Sequence, residues 1–246
     1  MAKIHLLVKK EDISEEKILE GNKVAVVLDI LLATTTIVSA LKDGAKEVIP
    51  VLNSSEASDL AENFMPGTCL LAGELDAKPI DGFLYPSPTL IRENVRGKTL
   101  ILSTTNGTVA LRKAASAKMV YVASILNNPA VAESLANVGE EQTILIICSG
   151  NSGELSLEDF YGSGHLIDCL ARAGQHELTD AAKAAMYFYR GQEHAGYEIF
   201  VNSYVGKLLE KYDQHPDLKL AVSKGITSIV PILKNGKVII ETACTV

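Results

Sequence analysis

An α/β fold built on a mostly parallel sheet with helices on both faces is what this sequence predicts. Three observations carry the prediction. The first 150 residues hold seven short apolar runs, stretches of helical spacing lie between them, and small polar turns follow several of the runs. Strand alternating with helix calls for parallel crossovers, and a parallel sheet is covered on both faces.

Taken in order, residues 4–8, 24–29, 48–52, 68–72, 99–102, 119–122 and 143–148 read as strands. Residues 36–42, 56–64, 108–115 and 129–138 read as the helices between them. After Gly150 the pattern becomes helix-rich, with helices expected over 156–172, 178–192, 204–212 and 218–223. Strands over 227–232 and 237–242 follow, around Asn235-Gly236, a dipeptide suited to a two-residue hairpin turn. The change at Gly150 suggests two α/β halves. Residues 1–150 carry the threonine-rich turns, and 151–246 pack closely on them with no Pro/Gly/Ser linker between. One internal repeat is visible: Ala33-Thr34-Thr35-Thr36 with Ala40-Leu41-Lys42 and Ala45-Lys46 matches Ser103-Thr104-Thr105-Asn106 with Ala110-Leu111-Arg112 and Ala117-Lys118.

Composition narrows the function. The chain has 246 residues, 47% hydrophobic and 22% charged, enough to bury a sizeable core. A net charge of −7 argues against nucleic acid or an anionic membrane as partner, because both need a basic face. No apolar run approaches the ~20 residues of a membrane span, and the first residues are too charged for a signal peptide, so a cytoplasmic protein is expected. Self-association is left open. Cys69, Cys148, Cys169 and Cys244 are far apart with no CxxC pair, which reads as reduced thiols rather than a zinc or disulfide framework. Arginine is scarce, 5 residues against 18 lysines, so planar recognition of oxyanions is thinly supplied.

Three apolar runs end in small polar turns that enter helices: 29–36, 103–108 and 148–156. At the carboxyl edge of a parallel sheet such turns offer amides and hydroxyls to an anion. Thr34, Thr35, Thr36, Ser103, Thr104, Thr105, Asn106, Gly107, Ser149 and Gly150 are therefore candidate substrate-binding residues. Helix N-caps favour Ser, Thr and Asn whatever the function, which is the competing explanation for any single turn. None of the turns has the GxxxxGK[ST] pattern of a nucleotide-binding loop. Acids share this geography: Asp29, Glu158 and Asp159 are candidate ligands of Mg²⁺, and Glu74 is a candidate base or supporting acid. Glu158 and Asp159 would also suit the first turn of a helix begun at Ser156. Cys148, at a strand end, is a candidate nucleophile if a helix N-terminus acidifies it, and otherwise a buried small residue. The histidines show no ligand spacing.

The runs 27–36, 102–108 and 148–159, with Gly73-Glu74 and Tyr85-Pro86-Ser87-Pro88, resemble the 2-phosphosulfolactate phosphatase family over nearly the whole chain. The resemblance implies an α/β, Mg²⁺-dependent phosphomonoester hydrolase that releases phosphate from 2-phosphosulfolactate in coenzyme M-type biosynthesis. Asp29 and an acid from Glu158-Asp159 would hold the metal, and the polar turns would cradle the phosphoryl group of a small anionic ester. Departures from the family pattern concentrate at arginine. Leu32, Leu75, Val109 and Glu154 stand where it has, or is expected to have, guanidinium groups, and Gly-Asn-Ser-Pro is replaced by Tyr85-Pro86-Ser87-Pro88. Poorer handling of phosphosulfolactate is the expectation, with Glu154 repelling a polyanion and Lys78, Lys98 or Lys113 compensating in part. The alternative is a degenerate relative that binds a small anion without turnover.

Overall fold

The computed structural model describes residues 1–136, 138–139 and 141–240. Its strands are β1 (Lys3–Leu7), β2 (Lys23–Leu28), β3 (Glu47–Val51), β4 (Cys69–Leu75), β5 (Lys78–Pro79), β6 (Thr99–Ser103), β7 (Met119–Ala123), β8 (Thr143–Cys148), β9 (Glu177–Leu178), β10 (Pro231–Lys234) and β11 (Lys237–Ile240). The helices are α1 (Glu15–Leu19), α2 (Ala33–Lys42), α3 (Ser54–Ala61), α4 (Pro88–Ile91), α5 (Gly107–Ala114), α6 (Asn128–Leu135), α7 (Leu157–Ala173), α8 (Asp180–Gly191), α9 (Gly196–Asn202), α10 (Tyr204–Lys211) and α11 (His215–Ala221). A single turn of 3₁₀ helix, Lys10–Asp12, follows β1. Cys244, residues 241–242 of the last expected strand and Asn137 of the expected helix 129–138 lie outside the described residues.

One sheet in the order β5-β4-β6-β3-β11-β10-β7-β2-β8-β1-β9 organises the chain, and both expected halves, 1–150 and 151–246, contribute strands to it. Two parallel blocks, β4-β6-β3 and β7-β2-β8-β1, are separated by the antiparallel hairpin β10-β11. Asn235 and Gly236 both have positive φ, 52° and 77°, as the tight turn between these strands requires. The segment before β10 does not extend the strand back to residue 227. It pairs instead with the turn before α6: the amides of Gly225 and Thr227 donate to the Ile125 and Leu126 carbonyls, and Asn127 Nδ2 donates to the Ile229 carbonyl.

The alternation of strand side chains builds two cores. Val24, Val26 and Leu28 of β2, with Ile144, Ile146 and Cys148 of β8, face a cluster that includes α6 to α11. Ala25 and Val27, with Leu145 and Ile147, face a cluster shared with α1, α2 and α5. Burying a side chain of this size contributes ~1.5–3 kcal/mol, so sliding either strand by one residue would forfeit several such contributions.

The two copies of the repeat cross the sheet in opposite directions. β2-α2-β3 leaves the second block for the first, and β6-α5-β7 returns. The register of the repeat differs from the sequence match, however. Ala33 is the first residue of α2, whereas Ser103 is the last of β6. The structural equivalents are Asp29 with Thr104 at the strand ends and Thr34 with Thr108 in the first helical turns, because in each copy a helix hydroxyl latches the strand-end backbone. Thr34 Oγ1 accepts from the Asp29 amide at 2.9 Å and donates to the Asp29 carbonyl at 2.9 Å. Thr108 Oγ1 accepts from the Thr104 amide at 3.0 Å and donates to the Thr104 carbonyl at 2.9 Å.

Three antiparallel pairings separate β7 from β3, so the two parallel blocks run in opposed senses along the ladder. The carboxyl ends of β2 and β6 still meet. Five strand steps separate these strands, and a twist of roughly 20–25° per step turns one against the other by about 100–125°.

Candidate active site

A cavity of about 280 Å³ opens where those carboxyl ends converge. The alternation that builds the α2/α5 core also supplies its polar groups. Continuing Ala25 and Val27 gives Asp29, continuing Leu70 and Ala72 gives Glu74, and continuing Leu100 and Leu102 gives Thr104. All three line the cavity, with Thr105 and Asn106.

Asp29 is buried, and its Oδ1 accepts the Ala33 amide at 3.2 Å. Burial pushes its carboxyl up to about 7, and the charges of Glu74 and Glu158 push the same way, against the Ala33 hydrogen bond and Lys10. Glu74, in the other block, pins the second turn from the neighbouring strand β4. Its Oε1 accepts the Thr105 amide at 2.7 Å, and its Oε2 accepts Thr105 Oγ1 at 2.9 Å and the Ala77 amide at 2.7 Å. Gly107 closes the joint between the two turns. A Cβ there would lie 2.4 Å from Ala33 Cβ and 2.6 Å from Asp29 Oδ2.

The residue missed in the sequence is Lys10. Its amide donates to the Ser149 carbonyl at 3.1 Å, carrying the 3₁₀ turn to the same sheet edge. Its Nζ donates to Asn106 Oδ1 at 2.7 Å and pairs with Glu11 at 2.8 Å. With Oδ1 also accepting the Ser152 amide at 3.4 Å, the Asn106 side chain keeps Nδ2 as its donor toward the cavity. Two lysines directly after the first strand, at its carboxyl end, were the available signal.

Other expected site residues are placed elsewhere. Thr35 Oγ1 donates to the Ile30 carbonyl at 2.8 Å and Thr36 Oγ1 to the Pro86 carbonyl at 2.6 Å, so with Thr34 all three hydroxyls serve the backbone. The first amides of α2 serve Asp29, because Thr34 donates to its carbonyl and Ala33 to its carboxylate. Ser103 and Ser149 are buried off the cavity wall, and Ser149 Oγ has no partner among the described residues. Gly150 donates its amide to Asp159 Oδ2 at 3.1 Å, and Asp159 Oδ1 accepts the Ile30 amide at 2.8 Å. Asp159 thus ties the turn after β2 to the turn after β8 instead of facing the cavity, and burial raises its pKa well above the ordinary carboxylate range. Burial likewise raises Glu158, which interacts with Ser203 and Ser156. Glu154 is exposed on its turn and off the cavity wall, so it does not set a charge beside an anion. Of the apolar replacements only Leu32 reaches the cavity; Leu75 is 64% exposed. Lys78, Lys98 and Lys113 are not on its wall either.

Cys148 is a correction. Its thiol lies on the face opposite Asp29, fully buried and 3.1 Å from Ser163 Oγ, and burial with the Asp159 charge pushes its pKa upward, not downward. Replacing Cys148 by alanine is expected to leave the rate of phosphate release within about twofold, at a stability cost of ~1 kcal/mol for the lost contact. A loss of a hundredfold or more in a folded variant would restore the nucleophile.

Mg²⁺ fits this donor set in one form only. Among the described residues no group of three or more metal-ligating side chains converges, so a cage made by the protein alone is absent. Mg²⁺ is commonly held by one or two carboxylates with water and substrate phosphate completing the shell. Asp29 suits that role, because its Oδ2 takes none of the described hydrogen bonds and it lines the cavity.

An α/β protein with acids and amide donors gathered at the carboxyl ends of its strands, and no membrane-spanning helix among the described residues, belongs to the class that binds small polar ligands at a sheet edge. Residues 7–236 match the profile of the family described as 2-phosphosulpholactate phosphatase. Relatives named "Probable 2-phosphosulfolactate phosphatase" include one from Clostridium beijerinckii, 36% identical over 97% of this chain and 100% of its own length. Another, from Clostridium perfringens strain SM101, is 41% identical over 96% of this chain and 95% of its own length. A third, from Caldanaerobacter subterraneus subsp. tengcongensis, is 40% identical over 87% of this chain and 89% of its own length. The chain belongs to the 2-phosphosulfolactate phosphatase family, which makes it a phosphoric monoester hydrolase by family.

Proposed function

We propose that this protein is a cytoplasmic, Mg²⁺-dependent phosphatase that hydrolyses 2-phosphosulfolactate or a related small phosphomonoester, a step of the coenzyme M-biosynthetic kind. The observation that carries the reading is the buried Asp29 carboxyl at the cavity, joined through Gly107 to the turn that Glu74 pins. Asp29 would hold the metal. A Mg²⁺ ion there would offset charge on the phosphoryl oxygens as the transition state forms.

The remaining work falls to the chain itself. Asn106 Nδ2 donates to a phosphoryl oxygen, its orientation set by Lys10 from behind. Glu74 keeps Thr105, and with it Asn106, in place before substrate arrives, so little reorganisation is needed during reaction. In the overall reaction water adds to phosphorus, the bond from phosphorus to the alcohol oxygen breaks, and the protons of water end on the alcohol and on phosphate.

Phosphate release from a panel of small phosphomonoesters, with and without Mg²⁺, tests this. Release that needs Mg²⁺ and is lost on chelation is the expected result. Absence of release from every ester at saturating Mg²⁺ would overturn it.

A further inference from the structure

Among the hydroxyls that line the cavity, that of Tyr85 stands apart. Thr104 Oγ1 accepts the Thr108 amide at 3.1 Å, and Thr105 Oγ1 accepts the Asp76 amide at 2.8 Å while donating to Glu74 Oε2 at 2.9 Å. Ser152 and Tyr204 are exposed residues. Tyr85 is half-buried, and its ring packs against the core formed with α6 to α11. Its hydroxyl takes no hydrogen bond among the described residues and is not sealed from water, so it opens on the cavity that the residue lines.

The backbone fixes where that hydroxyl starts. Leu84 pairs with Ala72 of β4 on the side away from β6, and the Gly73 amide donates to the Leu84 carbonyl at 2.9 Å. The two neighbours of one strand lie roughly 10 Å apart, so Tyr85 begins about that far from Thr104 and from the Asn106 turn that follows it. Thr36 Oγ1 donates to the Pro86 carbonyl at 2.6 Å, and the Thr89 amide donates to Asp217 Oδ1 at 3.1 Å, so α2 and α11 both hold this segment. Burial, with the charges of Glu74 and Asp217, pushes the phenol up to about 12, and it stays a donor at any working pH. No Lys, Arg or His lines the cavity among the described residues, so an acceptor on this part of a ligand meets a neutral donor.

We propose that Tyr85 is a specificity-determining residue, its hydroxyl donating to an acceptor oxygen on the alcohol portion of the ester while Asn106 holds the phosphoryl end. The proposal rests on the phosphatase reading for which end lies where, while the contact itself can be measured apart from turnover.

The test titrates the full chain with Mg²⁺ calorimetrically against ligands that cannot be hydrolysed. 3-Phosphonopropionate and 2-sulfoethylphosphonate carry an acceptor beyond the phosphonate; propylphosphonate and inorganic phosphate do not. Tyr85→Phe keeps the ring and removes the donor. It is expected to weaken the carboxylate and sulfonate ligands by about tenfold or more, and to leave the other two within about twofold. A loss confined to one of the two acids supports the proposal and identifies the group that Tyr85 takes. A smaller loss for both acids, an equal loss for every ligand, or failure of the unmodified chain to bind either acid overturns it. Phosphate release from 2-sulfoethyl phosphate and propyl phosphate, run in parallel, separates the two readings. The acid-specific loss of binding with no release from any ester supports the proposal and overturns the phosphatase. Release from both esters with KM values that Tyr85→Phe leaves unchanged overturns the proposal and leaves the phosphatase standing.

Discussion

Replacing Asp29 by asparagine is expected to reduce Mg²⁺-dependent phosphate release by at least a hundredfold and, at pH 8 without metal, to raise the melting temperature by several degrees. The two effects share one cause. The folded-state pKa of about 7 lies above the ordinary value of 3.8. Below 3.8 the carboxyl is protonated whether the chain is folded or not, and its contribution to stability is fully present. As pH rises toward 7 the unfolded chain releases the proton while the folded one retains it, so stability is lost across that window. Above it the folded protein carries a buried charge that costs on the order of 4 kcal/mol. Asparagine keeps the acceptor for the Ala33 amide and removes the charge. Melting curves at pH 4 and pH 8, compared between the two proteins, check the stability arm. Undiminished Mg²⁺ stimulation in the variant would move the metal off Asp29.

Gly107→Ala is expected to lower turnover by more than tenfold while costing ~1–3 kcal/mol of stability. The added methyl would sit 2.4 Å from Ala33 Cβ, 2.6 Å from Asp29 Oδ2 and 2.9 Å from Asp29 Cβ, and the two Cβ atoms are fixed directly to backbone. Either the N-termini of α2 and α5 separate or the Asp29 carboxylate turns away. A displacement of about 1 Å at a reacting group can cost on the order of 10²-fold in rate. Gly191→Ala, in α8 with nothing within 4 Å of the added methyl, is the control and should be neutral or slightly stabilising. Kinetics and melting curves of both variants separate local displacement from a general glycine effect.

Much of this geometry was legible because β2 and β8 are unbroken apolar runs, as strands covered on both faces of a parallel sheet are. Expected strands 24–29 and 143–148 became Lys23–Leu28 and Thr143–Cys148. The acids at strand ends were visible for the same reason, since Asp29 and Glu74 follow apolar runs without a break. Side-chain hydroxyls were not. Thr34, Thr35 and Thr36 look like donors to a ligand, but Thr34 and Thr35 take the nearby Asp29 and Ile30 carbonyls, and Thr36 takes the carbonyl of Pro86, far away in the sequence. Cys148 differs from Ser149 by one residue of alternation, enough to place it on the opposite face of the sheet. Lys10 became part of the site only through the pairing of β1 with β8, a relation that local spacing does not carry. The placing of β10 and β11 was illegible for the same reason: their turn is local, while their neighbours β7 and β3 are far away in the sequence.

That insertion ties enzyme assembly to the order of translation. Every strand that contributes to the cavity is made before residue 231, yet the seam between the two parallel blocks is filled by Pro231–Lys234 and Lys237–Ile240. A nascent chain can pair β2 with β7 and β3 with β6, but the half that carries Glu74 is not joined to the half that carries Asp29 through the sheet until the hairpin emerges. Pairing across such sequence separation is slow relative to local pairing. The interval leaves two open strand edges, β3 and β7, exposed to wrong partners. Chains ending before residue 231 should therefore accumulate as aggregation-prone half-sheets, and catalytic competence should arise late, after most of the secondary structure has formed.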